Sequence, residues 1–358
     1  MATTPALIPT TILTGFLGAG KTTLLKRILQ EQHGLRIAVI ENEFGQENID
    51  NEILVHDSGE QIVEMNNGCI CCTVRGDLIV ALTGLAEKRQ AGQIAFDRVV
   101  IETTGLANPG PVAQTFFVDE GVGAHFLLDA VVTVVDARHA MGQLDEHEEA
   151  QRQVGFADQI LLSKTDLVDA AALAALQARL KNINPRAPQR VADFGRVPLS
   201  EVLDLRGFNL NDKLELDPDF LSAEEAHGHE HEHGHEHHVH TEACDHSHDH
   251  SHDHHHAHHT DDIAAFVFKS ARPFDPAKLD EFLGSLVQVF GPRMLRYKGV
   301  LLMDGAERKV VFQGVHQMMG SDVGAKWGES EERGSKMVFI GKNLPKDIFI
   351  RGLEQCLV

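Results

Sequence analysis

Two short stretches of the sequence combine residue types and spacings that favour chemistry. Residues 66–72 (NNGCICC) place three of the chain's five cysteines, Cys69, Cys71 and Cys72, within four positions. Alternate side chains of an extended backbone face the same way, so Cys72 joins the other two only through a turn, which the Asn-Asn-Gly sequence favours. This spacing fits a disulfide poorly and fits three thiolates on one soft metal ion well. A redox dithiol and buried thiols are the alternatives.

The second stretch is residues 15–22 (GFLGAGKT), a full match to the phosphate-binding pattern G-x-x-x-x-G-K-[ST]. It follows a predicted strand and opens a predicted helix, so backbone N–H groups and the helix N-terminus would point at phosphate oxygens. Lys21 would add positive charge at the β- and γ-phosphates, and Thr22 a hydroxyl for Mg²⁺. The predicted nucleotide-binding residues are Gly15, Phe16, Leu17, Gly18, Ala19, Gly20, Lys21, Thr22 and Thr23.

The predicted base site is the sequence SKTD, which directly follows another predicted strand. The Asp166 carboxylate could accept both hydrogen bonds that guanine N1 and N2 donate, a pair that adenine does not offer. Lys164 would lie along the base plane. Ser163 replaces the Asn or Thr of the usual guanine-specific pattern, and a helix cap with solvated charges is the alternative reading. The motif favours GTP.

The sequence IETTG (residues 101–105) ends a buried strand and supplies two further catalytic candidates. Glu102 is predicted to bind Mg²⁺ through water or to orient the attacking water, since ligands bind beyond the carboxyl ends of parallel strands. Gly105 is predicted to bring its N–H close to the γ-phosphate. Asp136, at the end of VVTVVD, is as readily structural as functional.

Composition limits the partners of this protein of 358 residues. Its net charge of −21 argues against nucleic acid and against an anionic membrane surface, because both require a basic face. No stretch reaches the ~18 apolar residues that span a bilayer, and the N-terminus lacks the basic region of a signal peptide. We therefore expect a cytoplasmic protein, in which clustered cysteines favour metal or redox chemistry.

The pattern of elements predicts an α/β fold with a mostly parallel sheet, followed by a smaller α+β domain. Short apolar strands separated by helices indicate a parallel sheet covered on both faces. The first region has predicted strands at 10–14, 36–41, 61–65, 98–102, 130–136 and 159–163, and predicted helices at 21–32, 73–90 and 170–183. The second has strands at 263–269, 295–303, 309–314 and 337–340 and helices at 276–290 and 345–355, a β-α-β-β-β-α order with the helices on one sheet face.

Between these regions lies an acidic, histidine-rich segment. Residues 227–259 hold 17 of the 23 histidines, and residues 224–262 hold eleven acids and no Lys or Arg. We interpret the segment as a disordered linker that binds divalent metals weakly, with a merely solvating linker as the alternative. The predicted domains are 1–205, a nucleotide domain with the cysteine motif; 206–262, the linker; and 263–358, the α+β domain.

With these motifs assembled, the chain resembles the CobW/YjiA-type GTPases, relatives of the UreG and HypB nickel-insertion GTPases. The stretches that carry the resemblance are TGFLGAGKTTLL, AVIENEFG, NGCICC, VIETTGLANPGPVAQTFF, SKTD, RPFDP, LRYKG and FQGVHQMM. The resemblance implies a P-loop GTPase domain, a C-terminal CobW-type domain and the cofactors GTP, Mg²⁺ and Zn²⁺. It further implies that Cys69, Cys71 and Cys72 hold zinc and that GTP hydrolysis accompanies its transfer to a client metalloprotein.

Some expectations stay open at this stage. Glu41 and Glu43 follow the second predicted strand, and one of them is a candidate to complete the metal site or sense Mg²⁺, with solvated carboxylates as the alternative. A metal buffer with a regulatory GTPase, or a GTPase that delivers cobalt or nickel, is the alternative function, because thiolate and imidazole ligands accept all three metals. A homodimer is a further open expectation.

Overall fold

The computed structural model of the chain describes residues 7–41, 55–56, 60–61, 74–208, 261–328 and 331–358. The first unit contains a six-stranded parallel sheet in the order β2-β5-β1-β6-β7-β8. Its strands are β1 (Ile8–Thr14), β2 (Ile37–Glu41), β5 (Arg98–Glu102), β6 (Phe126–Asp136), β7 (Gln159–Ser163) and β8 (Gln189–Val191), while β3 (Val55–His56) and β4 (Glu60–Gln61) pair with each other.

Helices cover both faces of this sheet, as the sequence predicts. They are α1 (Lys21–Gln30), α2 (Val74–Gln90), α3 (Pro109–Val118), α4 (Glu120–Gly123), α5 (Ala140–Glu146), α6 (Glu148–Phe156) and α7 (Ala170–Ile183). Because strand side chains alternate between faces, Leu13 and Val132 join the core beneath α1, whereas Ile12 and Val131 join the core beneath α2, α3, α6 and α7. No helix of the described ranges is long and apolar enough to cross a membrane.

The second unit is an antiparallel sheet in the order β12-β11-β10-β13-β9. Its elements are β9 (Ile263–Ser270), α8 (Pro276–Phe290), β10 (Met294–Leu301), β11 (Arg308–Val315), β12 (Met318–Lys326), β13 (Ser335–Lys342) and α9 (Lys346–Gln355). Phe339 and Phe349 pack edge to face, with 5.2 Å between ring centroids, in the core beneath the two helices. The opposite sheet face contributes Ile263, Leu295 and Ile340 to the core of the first unit.

Several predicted elements differ from the observed ones. The α+β unit has one strand more than predicted, because β12 pairs with β11 as an edge strand. Its sequence, MMGSDVGAK, is mostly exposed and lacks the apolar alternation by which a half-buried strand is predicted from sequence. β6 starts four residues before the prediction, and α3 to α6 were not predicted. Of the strand predicted at 61–65, only Gln61 lies within the described residues, in β4.

Contacts between the two units involve α6 and Asp158, which follows α6 in the sequence. The Gln151 Oε1 atom accepts a hydrogen bond of 3.2 Å from the Ile263 backbone N–H at the start of β9. Two residues beyond the helix, Asp158 forms an ion pair of 2.9 Å with Arg296 of β10, and both side chains are 2% exposed. The Arg296 guanidinium also lies 3.5 Å above the ring centroid of Phe208. This buried pairing fixes the second unit on the first.

Both ends of the predicted linker are attached to the folded part. The Phe208 carbonyl accepts a hydrogen bond of 2.7 Å from the Gln313 side-chain amide of β11. On the far side of the histidine-rich segment, Asp261 pairs with Arg179 of α7 at 2.6 Å. The histidines themselves lie outside the described residues.

Candidate functional site

The phosphate loop lies at the carboxyl edge of the parallel sheet, between the end of β1 and the start of α1. At Gly15, φ is +143° and a Cβ atom would lie 2.2 Å from the Val134 carbonyl oxygen, so glycine is required there. The turn is closed by a 3.1 Å hydrogen bond from the Ala19 N–H to the Phe16 carbonyl. Gly20, also at positive φ, leads into α1 at Lys21. The strand–loop–helix context predicted for the motif is therefore present.

The Lys21 ammonium is held at the centre of this loop. It donates hydrogen bonds of 2.8 Å to the Gly15 carbonyl and 3.3 Å to the Phe16 carbonyl, and the residue is 8% exposed. Burial lowers the pKa of Lys21 below its usual value, while the nearby charge of Glu102 opposes that shift. A cation that is partly stripped of water interacts more strongly with phosphate than a solvated one.

Thr22 and Glu102 form an oxygen-rich pair next to the lysine. The Thr22 hydroxyl donates a 2.8 Å hydrogen bond to Glu102 Oε1, and Glu102, the last residue of β5, is 8% exposed. The hydroxyl of Thr103 donates to that of Thr14 at 2.8 Å, which ties the ends of β5 and β1 together. A hydroxyl and a carboxylate beside a phosphate loop are the hard oxygen donors that Mg²⁺ takes.

The loop after β5 passes against the phosphate loop. A Cβ atom at Gly105 would lie 2.6 Å from Leu17 Cδ2 and 2.7 Å from the Leu17 backbone nitrogen, so only glycine permits this approach. The Gln153 side-chain amide of α6 donates hydrogen bonds of 3.0 Å to the carbonyls of Gly105 and Ala107. Asn108 then caps α3 by accepting from the Gly110 N–H at 3.0 Å. Glu102 and Gly105 thus lie beside the phosphate loop, and their roles towards Mg²⁺, water and the γ-phosphate stay predictions.

The SKTD sequence follows β7 and borders a cavity of about 280 Å³ next to the phosphate loop. The Ser163 hydroxyl donates 2.6 Å to the Ala19 carbonyl, so this serine connects the strand end to the phosphate loop. Lys164 adopts φ +56° and donates 2.6 Å to Asp136 Oδ2. The cavity is lined by Ala19, Gly20, Ser163, Lys164, Asp166 and Phe194, among others.

Two aspartates hold the SKTD segment in place. Asp136 accepts hydrogen bonds from Lys164, from the His139 Nδ1 position at 2.9 Å and from the Arg138 N–H at 3.0 Å. Burial alone would raise the pKa of Asp136, but the hydrogen bonds from Lys164 and His139 hold it below its usual range. Asp193 accepts from the Thr165 N–H at 2.7 Å and from the Thr165 hydroxyl at 2.5 Å. The sequence analysis named Asp136 without assigning it a role, and it did not name Asp193.

The segment that contains the cysteine motif begins at the same sheet edge. Glu41 ends β2 and is paired in register with Glu102 of β5, so the chain leaves the sheet one strand away from the Thr22–Glu102 pair. After the short strands β3 and β4, the next described residue is Val74, where α2 begins. Cys69, Cys71 and Cys72 lie outside the described residues, and within the described ranges no group of three or more His, Cys, Asp or Glu could hold a metal ion.

Sequence reasoning missed Gln153, Asp193 and Phe194. Gln153 lies in a helix that was not predicted, 48 residues beyond Gly105, and no local pattern links them. Asp193 and Phe194 stand in a 3-10 turn after the three-residue strand β8. The sequence ADFG there contains an Asp and a Gly, which is a usable turn signal. Thr165, the hydrogen-bond partner of Asp193, is however 28 positions away.

Taken together, the predicted residues of the phosphate loop, the acid at the end of β5 and the SKTD segment lie along one edge of the sheet. The backbone cradle, the Lys21 cation and the Thr22–Glu102 oxygens fit a nucleoside triphosphate with its Mg²⁺. These features define the class of the protein, a P-loop nucleotide-binding protein.

Comparison with known families and structures agrees with this class. Residues 9–190 match the CobW/HypB/UreG nucleotide-binding domain, and residues 263–357 match the C-terminal domain of the cobalamin synthesis protein CobW. The chain therefore belongs to the CobW/HypB/UreG family and is a P-loop GTPase, with GTP and Mg²⁺ as its cofactors.

The chain is similar to several described proteins over nearly its whole length. It is 40% identical to the zinc chaperone YjiA of Escherichia coli over 341 residues, which cover 95% of this chain and 96% of that protein. It is 31% identical to the zinc chaperone CobW of a Sinorhizobium species, covering 98% and 97%. The crystal structure of Zn(II)-bound YjiA GTPase from E. coli superposes with a TM-score of 0.75 at 35% identity, covering 99% of this chain and 100% of that one.

Proposed function

We propose that this GTPase is a zinc chaperone that holds Zn²⁺ on Cys69, Cys71 and Cys72 and passes it to client metalloproteins. The observation that carries the proposal is the register of Glu41 with Glu102, because it attaches the cysteine-bearing segment to the edge where Thr22 and Glu102 lie. The similarity to zinc chaperones over 95% of the chain supports zinc as the metal.

The chemistry of the donor set also supports this assignment. Three thiolates form a tight zinc site whose fourth position is available to water or to a ligand from a client. Glu41 is our candidate for an additional ligand. A second solved structure of YjiA, with a TM-score of 0.75, supports this choice. It is a Zn(II)-bound triple mutant in which one glutamate and two cysteines are replaced by alanine, the same residue types that we assign here.

In this proposal the nucleotide residues act through position and charge. Residues 15–23, among them Lys21, bind the phosphates. Ser163, Lys164 and Asp166 bind the guanine base. Thr22 would be the protein ligand of Mg²⁺. Glu102, which accepts a hydrogen bond from the Thr22 hydroxyl, would orient the attacking water, and Gly105 would bring its N–H towards the γ-phosphate. Bound Mg²⁺ neutralises the charge that develops on the phosphate oxygens.

The coupling of the two sites is electrostatic and conformational. Segments that follow the strand neighbouring a phosphate loop order around the γ-phosphate and relax after hydrolysis. GTP therefore poises the thiolate site, and hydrolysis loosens it when a client is bound. The histidines of residues 227–259 act as an auxiliary metal reservoir, since their irregular spacing imposes no single geometry. The proposed units are residues 1–205, 206–262 and 263–358, and the proposed place of action is the cytoplasm.

The test is zinc transfer from the purified chain to a chromogenic chelator and to an apo-metalloenzyme. Reactions contain GTP with Mg²⁺, GDP, a non-hydrolysable GTP analogue or no nucleotide. The variants are the triple change Cys69→Ser, Cys71→Ser and Cys72→Ser, a deletion of 227–259, and Cys244→Ser as the matched single-thiol control.

We expect delivery to the enzyme to require hydrolysable GTP and the three thiols, and to survive both the deletion and Cys244→Ser. If release ignores the nucleotide and disappears with the deletion, the protein is instead a metal buffer with a regulatory GTPase. If cobalt or nickel is bound and delivered in preference to zinc under competition, the metal assignment is wrong.

A further inference from the structure

An exposed aromatic side chain stands at the mouth of the cavity beside SKTD. Phe194 is 66% exposed and lines that cavity together with Lys164 and Asp166. Its backbone has φ +55°, a conformation that a bulky residue rarely adopts. A large apolar ring that is both exposed and held in this conformation contributes little to the core, so its place requires another explanation.

The residues on either side hold Phe194 in this position. Asp193 accepts two hydrogen bonds from Thr165, which joins the turn to the SKTD segment. Gly195, at φ +73°, packs so closely on α1 that a Cβ atom would lie 3.0 Å from Leu24 Cα. The turn is thereby fixed between the SKTD segment and the helix that follows the phosphate loop.

A second residue of the same cavity shares this unusual backbone. Lys164 has φ +56°, its ammonium is held by Asp136, and the residue lines the same cavity. Two of the six non-glycine residues with positive φ among the described residues therefore line one cavity, and an aspartate holds each segment. Phe194 supplies an aromatic ring to this cavity, and aromatic rings are surfaces on which a planar base stacks well.

We propose that Phe194 is the stacking wall of the nucleotide site and covers the guanine base that Asp166 recognises. The inference rests on the proposed base site. The Arg196 guanidinium lies 5.7 Å from the Phe194 ring centroid and forms a cation–π contact with it. Stacking binds any base, whereas the Asp166 carboxylate selects guanine, so the two residues supply affinity and selectivity separately.

The experiment compares nucleotide affinities of Phe194→Ala, Phe194→Leu and Phe194→Trp by titration calorimetry with GDP and a non-hydrolysable GTP analogue. Val191→Ala is the matched control, because Val191 is 49% exposed in the preceding strand and does not line the cavity. We expect Phe194→Ala to weaken both nucleotides about tenfold. Phe194→Leu should lose part of the affinity, and Phe194→Trp and Val191→Ala should stay within twofold of the parent.

Two further measurements report on the contact and on the base site. In Phe194→Trp, GDP should quench indole fluorescence beyond any change that the parent, with only Trp327, gives. Asp166→Asn should shift preference from guanine towards xanthine nucleotides, since an amide matches the altered base edge. Adding Phe194→Ala to that variant should weaken xanthine nucleotide binding by the same factor.

The outcomes separate the inference from the base-site assignment. If Asp166→Asn changes selectivity but Phe194→Ala leaves GDP affinity within twofold, the stacking role is wrong and the base site stands. Tighter binding by Phe194→Ala would show that the ring obstructs the cavity, which also overturns the inference. If Asp166→Asn leaves selectivity unchanged, the base-site assignment fails, and with it the stacking role.

Discussion

The side-chain amide of Gln153 donates hydrogen bonds of 3.0 Å to the carbonyls of Gly105 and Ala107. Two residues earlier on the same helix, Gln151 accepts a hydrogen bond from the first residue of the C-terminal sheet, Ile263. α6 therefore contacts the loop beside the phosphate site and the second unit at once. A displacement of the Gly105 loop would therefore act first on the helix to which the C-terminal sheet is hydrogen-bonded.

The first prediction concerns this pair of glutamines. In Gln153→Ala the buried carbonyl of Gly105 and the half-buried carbonyl of Ala107 lose their donor, which should cost about 1–3 kcal/mol of stability. Because the Gly105 loop is then no longer held against Leu17, we expect kcat for GTP hydrolysis to fall about tenfold with little change in KM. Steady-state phosphate release and a denaturation midpoint provide the two readouts.

The matched control is Gln151→Ala, whose side chain bonds to Leu144 and Ile263 instead of the Gly105 loop. It should lose comparable stability and keep its hydrolysis rate. If both variants lose activity in proportion to stability, Gln153 has no positioning role.

The second prediction concerns the oxygen pair at the phosphate loop. Glu102→Gln keeps the shape and a hydrogen-bond acceptor for Thr22 but removes the charge, so we expect hydrolysis to slow by roughly a hundredfold. Thr22→Ala removes the proposed Mg²⁺ ligand and should raise the Mg²⁺ concentration required for half-maximal rate about tenfold. Magnesium titrations of the hydrolysis rate distinguish the two effects. The control Glu120→Gln, at an exposed position, should hydrolyse GTP at the rate of the parent. An unchanged hydrolysis rate in Glu102→Gln would contradict the role assigned to Glu102.

The third prediction concerns the buried ion pair between the units. Arg296→Met removes the Arg296 cation from the buried Asp158 carboxylate, and we expect a loss of about 3–5 kcal/mol in denaturant unfolding. Adding Asp158→Asn removes the buried carboxylate charge that Arg296 pairs with, so the double variant should recover part of that loss. A double variant less stable than Arg296→Met would show that Asp158 acts mainly through its other contacts, among them the hydrogen bond that it accepts from the Val131 N–H.

The fourth prediction concerns pH. The ordinary pKa of an aspartate such as Asp136 is 3.8, and the folded-state value lies below it because Lys164 and His139 donate to the carboxylate. This pairing therefore stabilises the fold fully above pH 4, and its contribution is lost as the pH falls through the folded-state pKa. In Asp136→Asn the denaturation midpoint at pH 7 should be lower than in the parent. The midpoints at pH 7 and pH 3 should also differ less than they do in the parent. Asp280→Asn, on an exposed position of α8, should change neither.

Contiguous motifs made most of the site predictable from sequence. The phosphate loop is contained in residues 15–22, and each of its roles depends on local backbone geometry that the flanking strand and helix impose. The same holds for Glu102 and the SKTD segment, since parallel strands place their carboxyl ends on one edge of a sheet. The parallel sheet itself followed from continuous apolar strands such as RVVIE, which a strand buried on both faces requires.

Long-range contacts account for what the sequence did not reveal. Gln153 meets Gly105 only because α6 packs across the sheet, and Asp193 meets Thr165 only because β8 lies beside β7. β12 escaped prediction because an exposed edge strand need not alternate apolar and polar residues. Pairing partners of this kind are determined by tertiary packing, which no local window contains.

The attachments at Phe208 and Asp261 have a consequence for metal supply. Because the chain is bonded to the folded body at Phe208 and Asp261, on either side of the histidine-rich segment, the imidazoles of the proposed reservoir would act as intramolecular ligands. Their effective concentration at the protein surface is determined by the length of chain between the two attachments and is independent of how much protein the cell makes. In the proposed reservoir, an ion released from one imidazole would meet the next before it meets bulk solvent, so the protein would carry its own local pool of metal.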